Sequence, residues 1–299
     1  METLGSAKPP CACSIPAPVS NGLEYNYISM KKAVLILSFA LVFLFTPRPV
    51  SAQTFDAAKA FSDYQYQLTV YQQDYSGFQE AKTFYLGNPT LQLKEVARQK
   101  TIKMLKGRDN LMSVYLTALR MQILETKGFD DSRKNAIFGK IDSEVDWYKN
   151  HINVYLDSDQ LVDLFNKSDE SRSRYETNTL PIIDESLFDI GQSQEIGLRV
   201  SHQEIYSDLK NFINEQVASG KLRIDPFNRW FNDIEAVSEL LKKNESEGTA
   251  KIQTIYSHNY GIEAAYDDAV GILTSSIIPI TQLNNYLTEM LASIQNQMK

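Results

Sequence analysis

Cysteine is nearly missing from this chain. Two occur among 299 residues, Cys11 and Cys13, and both precede Met30. Everything after Met30 therefore lacks disulfides, thiolate metal sites and a cysteine nucleophile. Histidine is almost as scarce, at three (His151, His202 and His258). None belongs to a His-Glu-x-x-His motif, and none has a Glu three residues before it, as the inward Glu-x-x-His of a di-iron bundle requires. Each reads as an amphipathic residue bordering a core, His151 lying three residues after Tyr148. His202 and Glu204 cannot converge on one ligand, because positions i and i+2 do not share a helix face.

Catalytic signatures are missing as well. There is no Gly-x-Ser-x-Gly, no phosphate-binding glycine loop and no dinucleotide fingerprint. Ser207-Asp-Leu-Lys210 has Ser-x-x-Lys spacing without the companion Lys-Thr-Gly, so it carries no catalytic expectation. Acidic pairs at Asp130-Asp131 and Asp267-Asp268 raise calcium, and Asp157-Ser-Asp159 resembles the start of an EF-hand loop. The sixth loop position there is Val162 rather than Gly, so the match fails. No catalytic residue, metal ligand or cofactor site is assigned. Clustered Lys and Arg are also lacking, which argues against nucleic acid as a partner.

One apolar run stands out. In MKKAVLILSFALVFLFTPRPVSAQ (residues 30–53), Lys31 and Lys32 precede 14 uncharged residues, and Val50-Ser51-Ala52 follows a Pro-Arg-Pro break. These are the parts of a secretory signal peptide cleaved after Ala52. The rival is a single membrane anchor, which needs about 20 apolar residues. Residues 1–29, rich in Pro and Ser, are expected to be an upstream extension of a frame that starts at Met30, or else a disordered tail. Removal of residues 1–52 leaves 247 residues with 26 basic and 35 acidic side chains, a formal charge of −9 instead of −7. That length can bury a core without disulfides. The expected compartment is extracytoplasmic, with residues 53–299 as a single helical domain.

What the mature region does have is helical periodicity. Helices are expected at about 54–86 and, after Gly87-Asn88-Pro89 with Asn88 as cap, from there to about Lys127. The stretch 111–124 is apolar almost all round, as in a central helix. Asp130 or Asp131 starts a third helix with Ile137, Ile141, Val145, Tyr148, Ile152 and Tyr155 inward and Glu144 on its polar face. Asp157-Ser-Asp-Gln160 fits a capping box for a fourth helix. Residues 166–179 (NKSDESRSRYETNT) lose the apolar face and read as a solvated arm and a weak domain boundary. Pro181 restarts the pattern, Gly191 and Gly197 weaken it, and Gly220 stops it. Asp225-Pro226 opens a helix to about Asn244, with Glu245-Ser-Glu-Gly248 as a loop. The last segment, broken at Pro279, carries an Ile280, Leu283, Leu287, Met290, Ile294 seam of coiled-coil type, expected to pack within the chain. The fold class is all-α, an antiparallel bundle of about six to eight long amphipathic helices.

Tyrosine is abundant, with 16 residues. Core edges account for most of them. A contact surface is expected, if anywhere, at Tyr64, Tyr71, Tyr75, Tyr256 and Tyr260. Asn166-Lys-Ser and Asn244-Glu-Ser fit the glycosylation pattern, which matters only in a pathway that uses it. These features point to an exported, non-enzymatic binding or envelope scaffold protein whose partner is another protein or an envelope component. The alternative is a small-molecule binding module with a cleft near Gly191–Gly197 or the tyrosines.

Overall fold

The computed structural model describes residues 56–256 and 261–298. The expected leader, residues 1–52, lies outside them. The described chain is all-α: α1 (Ala57–Gly87), α2 (Leu91–Glu125), α3 (Asp131–His151), α4 (Leu161–Arg174), α5 (Leu180–Ala218), α6 (Asp225–Gln253), α7 (Ile262–Ser275) and α8 (Ile277–Gln297), with no strand among the described residues. A π-helical turn, Tyr175–Thr179, joins α4 to α5 without a break, and short 3-10 turns follow α3 and α6.

Local chemistry explains most of the ends. Asp56 accepts from the Lys59 backbone N–H and starts α1. The cap of α2 is Thr90, whose hydroxyl accepts from Leu93 N–H, and not Asn88 as expected; Asn88 instead closes α1 by donating to the Phe84 carbonyl. Asp130 accepts from Arg133 N–H and starts α3. The capping box of α4 lies three residues later than expected, between Gln160 and Asp163. Gly128 and Gly220 end their segments at positive φ, 79° and 74°, where a side chain would strain the backbone.

The chain divides into two compact units: residues through Gln122 with Ile137–Ile182, and Ile123–Ala136 with Ile183–Lys299. In the first, side-chain partners on α1 and α2 run in opposite order. Tyr64 meets Tyr115, and Asp74 pairs with Lys103. The same holds for α2 and α3, where Arg120 pairs with Asp142 and Asp109 with His151. It holds again for α3 and α4, through His151 with Glu170 and Glu144 with Arg174. Successive helices of this unit are antiparallel, so the α1–α2 and α3–α4 turns share an end. Arg98 confirms it by donating from the start of α2 to the carbonyls of Asp157 and Asp159.

In the second unit, Arg199 pairs with Glu245 and Lys210 with Glu235, which sets α5 antiparallel to α6. Trp230 donates to Glu289, Asn244 to Ser276 and Lys251 to Asp268, which sets α6 antiparallel to α7 and α8. Between them lies a core of Tyr206 and Ile213, Phe227, Phe231, Ile234 and Leu241, and Leu283, Leu287, Met290 and Ile294. The expected terminal seam is thus packed within the chain.

Three expectations fail here. Glu245-Ser-Glu-Gly248 is helix and not loop. A Cβ at buried Gly248 would sit 3.0 Å from the Phe188 ring, so the glycine marks close packing. Gly191 likewise admits the Leu273 side chain, 2.7 Å from where its Cβ would be, inside an unbroken α5. Glu144, expected on a polar face, is 2% exposed.

Two glycine substitutions test this account. Gly139 is exposed within α3 with open space around it, so Gly139→Ala should stabilise by about 0.5–1 kcal/mol in urea unfolding. At Gly128 the new Cβ would lie 2.5 Å from the Ser193 carbonyl oxygen at positive φ. Gly128→Ala should cost about 1–3 kcal/mol.

Candidate functional site

The segment expected to be a solvated arm forms one wall of a buried polar cluster. Ser168, Ser171 and Thr179 are at most 8% exposed, because α4 turns its small polar residues inward and its charged ones outward. No apolar stripe advertises such a face. At its centre is Asp109 of α2, fully buried. One carboxylate oxygen accepts from Ser171 Oγ at 3.0 Å and from Arg108 Nε at 3.1 Å; the other faces His151 Nδ1 at 2.6 Å. Arg108 also donates to Ser168 Oγ (3.0 Å) and Tyr155 Oη (3.1 Å).

Burial alone would raise the Asp109 carboxyl, but the Arg108 charge and the His151 and Ser171 hydrogen bonds outweigh it and hold it below the usual carboxylate range. Burial opposes charge on Arg108 too, and Asp109 more than compensates. The phenol of Tyr155 is pushed upward, mainly by burial. All three keep their ordinary charge states near neutrality.

A second knot lies further along α3. Glu144 accepts from Arg174 Nε at 3.1 Å and from Thr179 Oγ1 at 2.8 Å, and Thr179 in turn meets Tyr148 Oη at 3.0 Å. The π turn serves this contact. Pro181 removes a donor and crowds the carbonyl four residues back, so the helix widens and Leu180 N–H reaches Tyr175 O.

The first half of α5 repeats the theme in the second unit. Asp184, Glu185, Asp189 and Glu195 are all at most 7% exposed. Arg133 pairs with Glu185 and Asp189, and Tyr256 donates to Glu185. Glu195 is less well supplied. Its Oε1 has no hydrogen-bond partner, with Arg199 Nε 3.7 Å away. Burial pushes its carboxyl up to about 7 despite Arg199, and Glu245 adds to the rise.

The expected tyrosine surface is dispersed. Tyr64 and Tyr71 are core residues, 2% and 6% exposed, with Tyr75 half-buried against Phe78. They point inward because α1 packs its Tyr stripe on α2, so they form no outer contact face. Tyr256 is 46% exposed but is engaged by Glu185. Tyr260 and His258 lie outside the described residues. His202 Nδ1 donates to its own helix at Leu198 O. His151, expected at a core edge, is instead 4% exposed at the polar centre. No group of three or more His, Cys, Asp or Glu suited to a metal ion occurs among the described residues. The cleft expected near Gly191–Gly197 is filled at Gly191 by Leu273.

A different surface is exposed. Apart from Tyr66, the large apolar side chains exposed among the described residues of the first unit all fall within 84–96 or 154–165, the two turns that share an end. Leu91 is 85% exposed, Phe84 65%, Val162 58% and Leu156 52%. The periodicity of the flanking helices gave no sign of it, since these residues sit where helices end and count as ordinary apolar positions.

Comparison with protein-family models, with curated proteins and with solved structures found no match.

Removing the hub of the cluster should be costly. Asp109→Ala leaves Arg108 without its buried counter-charge and should cost about 3–5 kcal/mol in denaturant unfolding. Glu95→Ala, which removes an exposed carboxylate from its pair with Arg98, should cost far less than Asp109→Ala, because solvent screens that carboxylate.

Glu195 predicts a pH dependence of opposite sign to that of Asp109. Below pH 4.5 folded and unfolded states both hold the Glu195 proton; from there to about pH 7 only the folded state does. Its contribution to stability therefore falls as pH rises through that window. Glu195→Gln should flatten that part of the stability profile and exceed the parent in stability above about pH 7. Asp109, held low, contributes above its usual 3.8 and loses that contribution in acid.

Proposed function

We propose that this chain is an exported, non-enzymatic helical-bundle protein which binds a protein partner in the envelope or outside the cell. The apolar end of the first unit carries this reading. Phe84, Leu86, Leu91, Leu156, Val162 and Phe165 are 37–85% exposed there, and concentrated exposed apolar surface marks interaction sites. The chemistry of the partner follows from the charges beside it. Asp157 and Asp163 are exposed next to Leu156 and Val162, so the fitting partner presents an apolar face flanked by basic residues. The same carboxylates disfavour an anionic lipid surface.

Two further observations support binding over chemistry. The histidine, carboxylates and serines of the buried cluster are engaged with one another and with Arg108. The surface depression lined by Arg199, His202, Gln203 and Tyr206 encloses essentially no space of its own, whereas small-molecule sites usually hold roughly 300–1,000 Å³.

The test is cross-linking capture from an envelope extract with residues 53–299. Leu91→Asp combined with Leu156→Asp should abolish capture while changing stability by less than about 0.5 kcal/mol. Leu240→Asp, on α6 and 44% exposed, should leave capture intact. Equal capture by both variants, or flotation of the parent with anionic vesicles in place of protein capture, would refute the proposal.

A further inference from the structure

We infer that an exposed row on α5, in the second unit, docks an amphipathic helix of a partner protein whose apolar face is bordered by Lys or Arg. The surface is separate from the apolar end of the first unit, and the inference does not rest on the binding role proposed for that end. The large apolar side chains exposed on α5 are Leu198 (51%), Val200 (48%), Ile205 (49%) and Phe212 (38%). Leu198, Ile205 and Phe212 stand seven residues apart, which places them on one helix face, with Val200 on another. At 1.5 Å per residue the row is about 21 Å long, the length of a helix of about 15 residues.

The two borders of the row differ. His202 lies one turn from both Leu198 and Ile205, and Leu209 one turn from both Ile205 and Phe212. His202 shares a shallow depression with Leu283 and Leu287 of α8, and Leu209 packs on the core that those leucines help to build. On that side the row is therefore flanked by α8, whose one charged residue is Glu289. The opposite border is acidic. Asp208 lies one turn from both Ile205 and Phe212, and Glu204 and Glu215 share its face at four and seven residues' distance. All three are exposed. The nearby cations of α5 are held by α6, Arg199 by Glu245 and Lys210 by Glu235.

Charge selects the occupant. A second copy laid antiparallel on α5 would set the carboxylate border against itself, and like charges in register repel. A copy laid parallel would turn that border toward α8, which offers no cation. An anionic lipid surface is repelled by the same carboxylates. A helix with an apolar row and Lys or Arg along its edge meets both demands, covering Leu198, Ile205 and Phe212 while its cations face Glu204, Asp208 and Glu215.

The probe is a synthetic helical peptide of about three heptads with Leu at a and d and Lys at e and g, titrated into residues 53–299 and followed by fluorescence anisotropy. Leu198→Ser combined with Ile205→Ser should weaken binding at least about tenfold. Glu204→Gln combined with Asp208→Asn should weaken it about three- to tenfold and flatten its dependence on salt. A peptide with Glu in place of Lys should bind at least about tenfold more weakly than the Lys peptide. Leu91→Asp combined with Leu156→Asp should leave binding unchanged, which separates this face from the first unit. Should the Leu198–Ile205 variant lose the parent's unfolding midpoint, the Glu204–Asp208 variant decides alone, since both carboxylates are on the surface. No measurable binding of the Lys peptide, equal binding of the Glu peptide, or full binding by either α5 variant would overturn the inference. So would a dimer of residues 53–299 that Leu198→Ser with Ile205→Ser dissociates, because the face would then belong to a second copy.

Discussion

Asp109 is the point on which the first unit depends. A fully buried carboxylate is tolerated only where charge and hydrogen bonds replace its lost hydration, and here the replacements come from three helices: Arg108 beside it, His151 from α3 and Ser171 from α4. Satisfying one group thereby fixes the positions of its three partners. The arrangement is directional, as an apolar contact is not. A shift of α4 by one residue would carry Ser171 away from the carboxylate and strand a charge, whereas a leucine seam tolerates such a slip at smaller cost. The polar wall of α4 thus supplies register where apolar surface is sparse.

The second unit solves the same problem with the opposite materials. Its α5, α6 and α8 meet through Ile213, Phe227, Leu241, Leu283 and Met290, all at most 2% exposed. The pairs Arg199–Glu245, Lys210–Glu235 and Trp230–Glu289 flank that core. Polar burial is concentrated instead in the first half of α5, where ten consecutive residues (181–190) are buried, among them Asp184, Glu185 and Asp189. Arg133 answers two of these carboxylates at once. Glu195 has less compensation than the others, and burial shows in its raised carboxyl.

How much of this was legible in the sequence follows from the kind of force involved. Apolar periodicity revealed the all-α class, the inward face of α3 and the terminal seam, because burial of Ile141 or Leu287 is a property of the residue and its spacing. Most helix ends were found within a few residues, with the cap of α2 displaced from Asn88 to Thr90 and the end of α6 from about Asn244 to Gln253. The polar cluster was invisible. Ser168, Ser171 and Thr179 bury through partners 31–62 residues away, and nothing in NKSDESRSRYETNT distinguishes an inward serine from a solvated one. His151 and Glu144 were misplaced for the same reason. The glycines at 191 and 248 read as breaks although each makes room for a specific side chain, Leu273 or Phe188. The exposed apolar end escaped notice because sequence assigns hydrophobicity without saying which residues the helices leave uncovered.

The account stands or falls on whether Asp109 and His151 act as one unit in holding α2, α3 and α4 together. A double-mutant cycle measures this directly, with unfolding free energies for the parent, Asp109→Asn, His151→Gln and the double variant at one pH. Residues that share a buried network show coupling of about 0.5–3 kcal/mol, and a pair 2.6 Å apart with no exposed surface on the carboxylate should lie in the upper half of that range. Losses that simply add, with coupling near zero, would mean the cluster does not hold the helices, and the central claim would be wrong.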